Sequence, residues 1–354
     1  MGEARNEPAP ASMRVALYYN NRDVRVTEMA TPKIGSEELL VRIKASGICG
    51  TDVMEWYRIK RVPRVLGHEI TGEIVARGAA VREFFVGDRV FVSHHVPCGE
   101  CRYCRDGHES VCDTLRRTHF DPGGFAEYVR VPEINVRLGT FRLPAEISFE
   151  EGSFIEPLGC VVRGQRLAGF KPGKSVLIIG SGMSGLLHVQ LARARGAAFV
   201  AATDINDYRL RAAERCGAHA ALNAAEEIPA RLKELNQGRL ADLVIVCAGA
   251  PAPIRQAIQS VERGGVVLLF APTAEDVEVS FPIYELWRNE VTITTSYAAS
   301  PRDLVEATEL IRAGRVKVGQ MITHRLGLSE IGLGFQLVTE AKDSIKVIVN
   351  PGMG

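Results

Sequence analysis

Val176-Leu-Ile-Ile-Gly180-Ser-Gly182-Met-Ser-Gly185 carries an apolar strand straight into Gly-x-Gly-x-x-Gly and on into a helix with an apolar face. The glycines alone are a weak signal; the strand before them and the helix after them make it specific. Gly180 permits a tight turn, Gly182 lets backbone N–H groups approach a pyrophosphate, and Gly185 lets the helix pack close to the strand. Met183 and Ser184 complete the loop at a positive helix N-terminus that favours phosphate. Asp204 stands nineteen residues past Gly185, at the end of the next apolar run, where a carboxylate accepts hydrogen bonds from ribose hydroxyls. It would also repel a 2′-phosphate, so NAD is expected over NADP, with Arg209 as the one nearby residue suited to compensate. FAD or S-adenosylmethionine sites share such glycines, and the rest of the chain has to discriminate.

Outward from this stretch the rhythm is apolar run, glycine turn, helix, apolar run: Val176–Ile179, Met183–Arg195, Phe199–Thr203, Tyr208–Cys216, Leu243–Cys247, a helix near Pro253–Val261, and Gly265–Phe270. Such alternation predicts βα units on a doubly wound parallel sheet, over residues 159–298. Residues 1–158 read differently, as short β-rich segments broken by Gly and Pro: Arg14–Tyr19, Glu38–Ile43, Gly72–Ala76, Arg89–Ser93 and Phe125–Val131. The fold class is therefore α/β, a β-rich domain joined to a Rossmann-type domain. Residues 299–354, with a helix at Pro301–Ala313 and an apolar strand at Ile345–Val349, are expected to return to the first domain. The polar, Pro/Ala-rich stretch Met1–Met13 reads as a frayed tail.

Four of the eight cysteines lie within fifteen residues, as Cys98-x2-Cys101-x2-Cys104-x7-Cys112. Two Cys-x2-Cys steps bring sulfurs onto one ion from a tight turn, and the longer excursion adds a fourth ligand, which predicts a closed, structural zinc site. Reduced thiols at such a site fit a cytoplasmic location. Lys plus Arg (43) nearly balance Asp plus Glu (42), for a net charge of +1, which argues against a globally basic nucleic-acid binder. Hydrophobic residues at 46% argue against disorder, and no apolar run reaches the roughly 18 residues of a membrane span.

A second set of metal-binding residue types precedes and follows the cluster: Gly47-Ile-Cys49-Gly50-Thr51-Asp52, Gly67-His68-Glu69, Glu73, and Ile155-Glu156-Pro157-Leu158. A thiolate, an imidazole and carboxylates spread through the sequence suit an open catalytic zinc, with one position left for water or substrate. With both metal sites, the nucleotide fingerprint and their order, the chain from about Arg14 to Pro351 resembles the zinc-dependent medium-chain dehydrogenase/reductase family. Glu156-Pro-Leu is similar to the polyol (sorbitol-type) and threonine-dehydrogenase branches.

The resemblance implies a GroES-like catalytic domain and two zinc ions per chain. Cys49 and His68 would bind the catalytic zinc, with Glu69 and Glu156 as carboxylates, one ligating and the other holding the zinc water or exchanging with it. Asp52 would orient His68, and Thr51 would pass outward the proton released as the alcohol gives hydride to the nicotinamide. Cys160 reads as a packed core thiol. Homodimers or homotetramers are implied through edge strands of the nucleotide domain, for which Val291-Thr-Ile-Thr-Thr is suited.

The chain also departs from that pattern. Met54 stands where many relatives carry a relay histidine, and a thioether cannot carry a proton. His94 and His95 are alternatives for that relay in principle, or else surface or outer-shell groups. Glu55-Trp-Tyr-Arg-Ile-Lys-Arg61 is short, aromatic and basic, so Trp56 and Tyr57 are expected to pack on a carbon skeleton. Arg58, Lys60 and Arg61 either meet an anionic group or form a solvated loop. Thr295-Ser296-Tyr297-Ala298 lacks the arginine that the polyol branch commonly has there. The expected function is NAD-dependent oxidation of a secondary alcohol in a polyol, cyclitol, amino-alcohol or sugar-derived small molecule. The alternatives are a dehydrogenase for a primary alcohol or an anionic (phosphorylated, carboxylated or CoA-linked) hydroxy compound and, from another class, a non-catalytic nucleotide-binding regulator, against which Cys49, His68 and Glu156 argue.

Overall fold

The computed structural model describes residues 9–353, and these divide into two compact units. The first comprises the described part of Met1–Pro157 together with Ser300–Arg312 and the described part of Val318–Gly354; the second comprises Leu158–Ala299 and Ala313–Lys317. Residues 1–8 of the expected tail lie outside the described residues. Ser12 and Met13 correct the rest of that expectation: they open the first strand, and Met13 is 2% exposed.

The first unit is built on strands β1 (Ser12–Asn20), β2 (Asp23–Ala30), β3 (Leu39–Gly47), β4 (Arg64–Val65), β5 (Glu69–Arg77), β6 (Arg89–Ser93), β7 (Tyr128–Val131) and β8 (Thr140–Arg142). The second contributes β9 (Ser175–Ile179), β10 (Phe199–Asp204), β11 (Ala220–Asn223), β12 (Ala241–Val246), β13 (Val261–Leu269) and β14 (Thr292–Thr295). The chain then adds β15 (Ile322–Gly327) and β16 (Lys346–Asn350) to the first unit.

In the first unit β2-β1-β4 form a small sheet, and β15-β16-β3-β5-β6-β8 form a larger one in which β7 also pairs with β3. β16 runs antiparallel to the end of β3, with Ile348 opposite Gly47 and Val349 opposite Ser46. That register brings the start of β16 beside the start of β5, which lies across β3 with Glu69 opposite Gly47. Gly72 sits where β5 crosses β3; a Cβ there would come 2.3 Å from the Arg42 carbonyl oxygen. Leu39, Val41, Ile43, Ile70, Ile74, Val90 and Val92 fill the core beneath these strands.

The second unit is a parallel sheet of order β11-β10-β9-β12-β13-β14. All five residues of β9 are buried, the continuous apolar run expected of a strand covered on both faces. Successive strands build outward from β9 in both directions, so the order reverses between β9 and β12, where such sheets bind ligands at their carboxyl ends. Gly180 turns the chain out of β9 at φ +96°, a conformation open to glycine, and donates to the Thr203 carbonyl at 2.9 Å. Gly185 lies in the first turn of the helix Met183–Ala194, where a Cβ would stand 1.9 Å from the Gly180 carbonyl oxygen. Gly182 differs: the nearest atoms to a Cβ there belong to the flexible Arg209 side chain, at 3.8 Å and beyond.

Gly185→Val is expected to lower the unfolding free energy in urea by about 1–3 kcal/mol, through overpacking of the loop against the helix. Gly182→Ala is expected to leave it within about 0.5 kcal/mol, because that glycine keeps space open and fills no structural need of the apo fold.

Candidate active site

β3 ends at Gly47, and the chain turns sharply through Cys49–Asp52. The Asp52 N–H donates to the Cys49 carbonyl at 3.0 Å, and the Asp52 carboxylate accepts from the Cys49 N–H at 3.1 Å. This brace aims the thiol inward, and the Thr51 hydroxyl lies 3.3 Å from the Cys49 sulfur. His68 and Glu69 come from the entry to β5. Ligand atoms of Cys49, His68 and Glu69 all lie within 4.8 Å of one another. Glu156 is buried in the first turn of the helix Ile155–Leu167 and falls outside that group of three.

His68 Nδ1 faces Asp52 Oδ1 at 3.4 Å, which leaves Nε2 for a metal. Burial opposes the charged imidazole, but the Asp52 carboxylate and the Cys49 sulfur outweigh it and hold the His68 pKa well above its ordinary value. Burial would raise Asp52, and His68, Arg58 and the Cys49 N–H together hold it below the usual carboxylate range. A metal entering this site therefore displaces a proton from His68.

Glu69 is fully buried, and its Oε2 is paired with the ammonium of Lys346, itself fully buried, at the start of β16. Lys346 also donates to the Ile48 carbonyl at 3.3 Å and lies 5.6 Å from the centre of the Phe154 ring. The other oxygen of Glu69, Oε1, is buried with no hydrogen-bond partner. Sequence reasoning missed Lys346, which sits 277 residues from Glu69 in a strand that reads as plain apolar core.

Arg58 turns inward and is only 13% exposed at its side chain. It donates to the Thr51 carbonyl (2.8 Å), the Thr51 hydroxyl (3.1 Å) and Asp52 Oδ1 (3.3 Å), and stacks on the Tyr57 ring. Trp56 and Tyr57 remain exposed beside it. Of the surface and outer-shell alternatives for His94 and His95, His94 takes the second: it is buried, with its ring 4.8 Å from that of His68. The His95 ring follows at 3.8 Å and that of His119 at 5.6 Å from His94. Burial first, then the neighbouring cationic groups, push His95 down to about 3 and His119 to about 4, so both are neutral at pH 7.

Cys98, Cys101, Cys104 and Cys112 converge elsewhere in the same unit, with ligand atoms all within 4.8 Å of one another. The sulfur separations are 3.5 Å (Cys101–Cys104), 3.6 Å (Cys98–Cys112) and 4.0 Å (Cys98–Cys104). Tetrahedral zinc with bonds of about 2.3 Å requires sulfurs about 3.8 Å apart, so the four thiols fit that ion and are too far apart for disulfides.

At the nucleotide loop, Asp204 Oδ2 accepts from the Ser181 N–H at 2.8 Å and Oδ1 from the Asn206 N–H at 3.0 Å. The carboxylate thus also braces the glycine turn, a role that spacing alone did not reveal. The Arg209 Nε beside Gly182 is buried without a partner, which suits an anionic ligand in the open space Gly182 preserves.

Residues 35–140 match the alcohol dehydrogenase GroES-like domain, and residues 185–313 match the zinc-binding dehydrogenase domain. Sorbitol dehydrogenase of Bacillus subtilis (strain 168) is 30% identical, over 97% of this chain and 98% of its own. L-threonine 3-dehydrogenase of Caldanaerobacter subterraneus is 32% identical, over 95% and 98%. Among solved structures, a protein from Sinorhizobium meliloti 1021 assigned as a zinc-binding dehydrogenase and bound to NADP superposes with a TM-score of 0.86. It is 29% identical and covers 97% of this chain and 100% of its own. The chain is an oxidoreductase of the zinc-dependent medium-chain dehydrogenase/reductase family, in its polyol- and threonine-dehydrogenase-like branch.

Proposed function

We propose that the protein uses zinc and NAD to oxidise a secondary alcohol, in a polyol, cyclitol, amino-alcohol or sugar-derived substrate, to a ketone. The observation that carries this reading is Glu69 Oε1, a buried acceptor with no donor, standing with a thiol and an imidazole in one cluster. Orphaned buried acceptors are rare, and this one completes a mixed S, N and O donor set of the kind that binds zinc.

Cys49, His68 and Glu69 would hold the catalytic ion, and Glu156 would hold the oxygen of water or alcohol beyond it. Bound there, zinc supplies Lewis acidity to the substrate hydroxyl, and NAD supplies the hydride acceptor. Thr51 takes the substrate proton through its hydroxyl, which Arg58 holds in place. Met54 can accept no proton, so Thr51 would release it to water. Asp52 keeps the His68 ring oriented. Trp56 and Tyr57 would pack on the carbon skeleton. Cys98, Cys101, Cys104 and Cys112 would hold the structural zinc.

Gly180, Gly182, Met183, Ser184 and Gly185 would cradle the pyrophosphate, with Arg209 alongside. Asp204 would favour NAD, because its carboxylate oxygens keep lone pairs for the ribose hydroxyls and repel a 2′-phosphate. A homodimer or homotetramer belongs to the same reading. β14 is an edge strand, and Ile283, Tyr284 and Trp287 near it in sequence are 69%, 61% and 73% exposed. A cytoplasmic location is proposed because all eight cysteines are free thiols, and no described helix is long and apolar enough to cross a membrane.

NAD reduction by the zinc-loaded protein across polyols, cyclitols, amino alcohols and simple secondary alcohols tests the reading; a panel with no turnover at all would overturn it. Cys49→Ser is expected to abolish turnover, reduce zinc from two ions per chain to one, and leave NADH binding by fluorescence titration unchanged. Retained turnover would remove the zinc mechanism. Asp204→Ala is expected to shift the ratio of kcat/KM values towards NADP by about tenfold or more, equivalent to roughly 1.4 kcal/mol; an unchanged ratio would discharge Asp204 from cofactor choice. Lys346→Met strips the buried Glu69 of its counter-charge, so metal-free protein is expected to lose about 3–5 kcal/mol in urea unfolding. Zinc should restore part of that loss.

A further inference from the structure

Four imidazole rings run outward from the metal cluster. His68 lies at the inner end, the His94 ring is 4.8 Å from it, and the rings of His95 and His119 lie 3.8 Å and 5.6 Å from that of His94. His68 and His94 are each 8% exposed, whereas His95 and His119 are half-buried, so the row leads from the interior to a face that a solute can reach. Phe120 backs its outer end, buried and with its ring 5.1 Å from that of His119.

The backbone that carries these rings is braced on both sides. β6 ends at Ser93, and the buried Asn135 amide, from the helix Glu133–Gly139, donates to the Ser93 and His94 carbonyls at 2.9 and 3.1 Å. The Ser93 hydroxyl donates to the His95 carbonyl at 2.8 Å. The Thr118 hydroxyl accepts from the Val96 N–H at 2.9 Å, which ties the His119 segment to the one that holds His94 and His95. His119 Nδ1 lies 2.7 Å from the Phe120 carbonyl oxygen. A carbonyl only accepts, so Nδ1 carries the proton, and Nε2 of the neutral ring is left with a bare lone pair. Burial keeps that ring neutral at pH 7, with its pKa pushed down to about 4. Nothing among the described residues donates to His119 Nε2. His94 Nδ1, further in, is buried and has no hydrogen-bond partner among them either. Orphaned polar groups of this kind are rare in a folded interior and call for a ligand or water.

We infer that His119 Nε2 accepts a hydrogen bond from a hydroxyl or an ammonium group of the alcohol substrate, on a carbon away from the one held at the metal cluster, while the His94 and His95 rings line the path between. The inference rests on the dehydrogenase reading above and deepens it. His119 is then a specificity residue, which selects an alcohol with a second hydrogen-bond donor over a monofunctional one. A second donor satisfies the lone pair that the fold leaves bare; an aliphatic chain in its place strips water from Nε2 and returns nothing.

The test measures kcat/KM of the zinc-loaded protein with NAD for sorbitol, glucosaminitol and hexan-2-ol, alcohols of equal chain length, in the unmutated chain, His119→Leu and His119→Gln. The unmutated chain is expected to favour sorbitol or glucosaminitol, and the better of the two tells a hydroxyl from an ammonium partner. His119→Leu is expected to lower kcat/KM for that substrate about tenfold or more, mainly through KM, and to leave hexan-2-ol within about twofold. His119→Gln returns an acceptor oxygen and should keep most of the activity. Hexan-2-ol equal to or better than both polar alcohols, or a His119→Leu loss that is absent or the same for all three, overturns the assignment. Nitrogen NMR of histidine-labelled protein carrying zinc and NADH gives a readout free of turnover and of any folding defect in the leucine variant. The bare Nε2 resonance of His119, identified by its loss in His119→Gln, is expected to shift upfield on titration with sorbitol or glucosaminitol and to stay in place with hexan-2-ol. Turnover without such a shift removes the His119 contact alone. A shift without turnover of any alcohol supports the contact and removes the dehydrogenase reading.

Discussion

The buried pair of Glu69 and Lys346 is the interaction on which the catalytic unit depends. Two full charges in a site closed to water are tolerable only together, so the pair fixes where β16 lies against β3 and β5. It also decides the character of the proposed metal site. One Glu69 oxygen is committed to Lys346 and the other is held bare beside Cys49 and His68. The strand that closes the sheet is thereby the strand that positions the proposed ligand Glu69.

Around that pair the site is organised as shells of alternating charge. Glu69 is answered by Lys346, His68 by Asp52, and Asp52 by Arg58. Each member is placed by local backbone: the turn at Cys49–Asp52, the entry to β5, and the short helix Glu55–Arg58.

Much of this was legible in the sequence, for a physical reason. Metal ligands and nucleotide loops depend on residue type at short spacing, so the candidates Cys98 to Cys112, Gly180 to Gly185, and Cys49 and His68 could be picked out, and the fold brings each cysteine cluster together. The βα rhythm of the second unit was equally plain, because strands buried on both faces are continuous apolar runs. β2 escaped notice because most of its residues face solvent on an edge strand and carry little hydrophobic signal. Lys346 escaped because its significance lies in a partner that only the folded chain defines. The same holds for Asp204, whose distance from Gly185 announced a ribose ligand but not the bond to the Ser181 N–H. Arg58 was seen as a basic loop residue, and the fold turned it onto Thr51.

Gly47 gives the pair of Glu69 and Lys346 a history as well as a place. A Cβ at position 47 would stand 2.1 Å from Glu69 Oε2 and 2.6 Å from Lys346 Cε, so the ion pair occupies the volume that any other residue would need. The three positions are consequently physically coupled. Changing the carboxylate strands the ammonium, changing the ammonium strands the carboxylate, and enlarging the glycine evicts both. Substitutions at positions 47, 69 and 346 are therefore expected to be strongly non-additive, each changing what the other two cost.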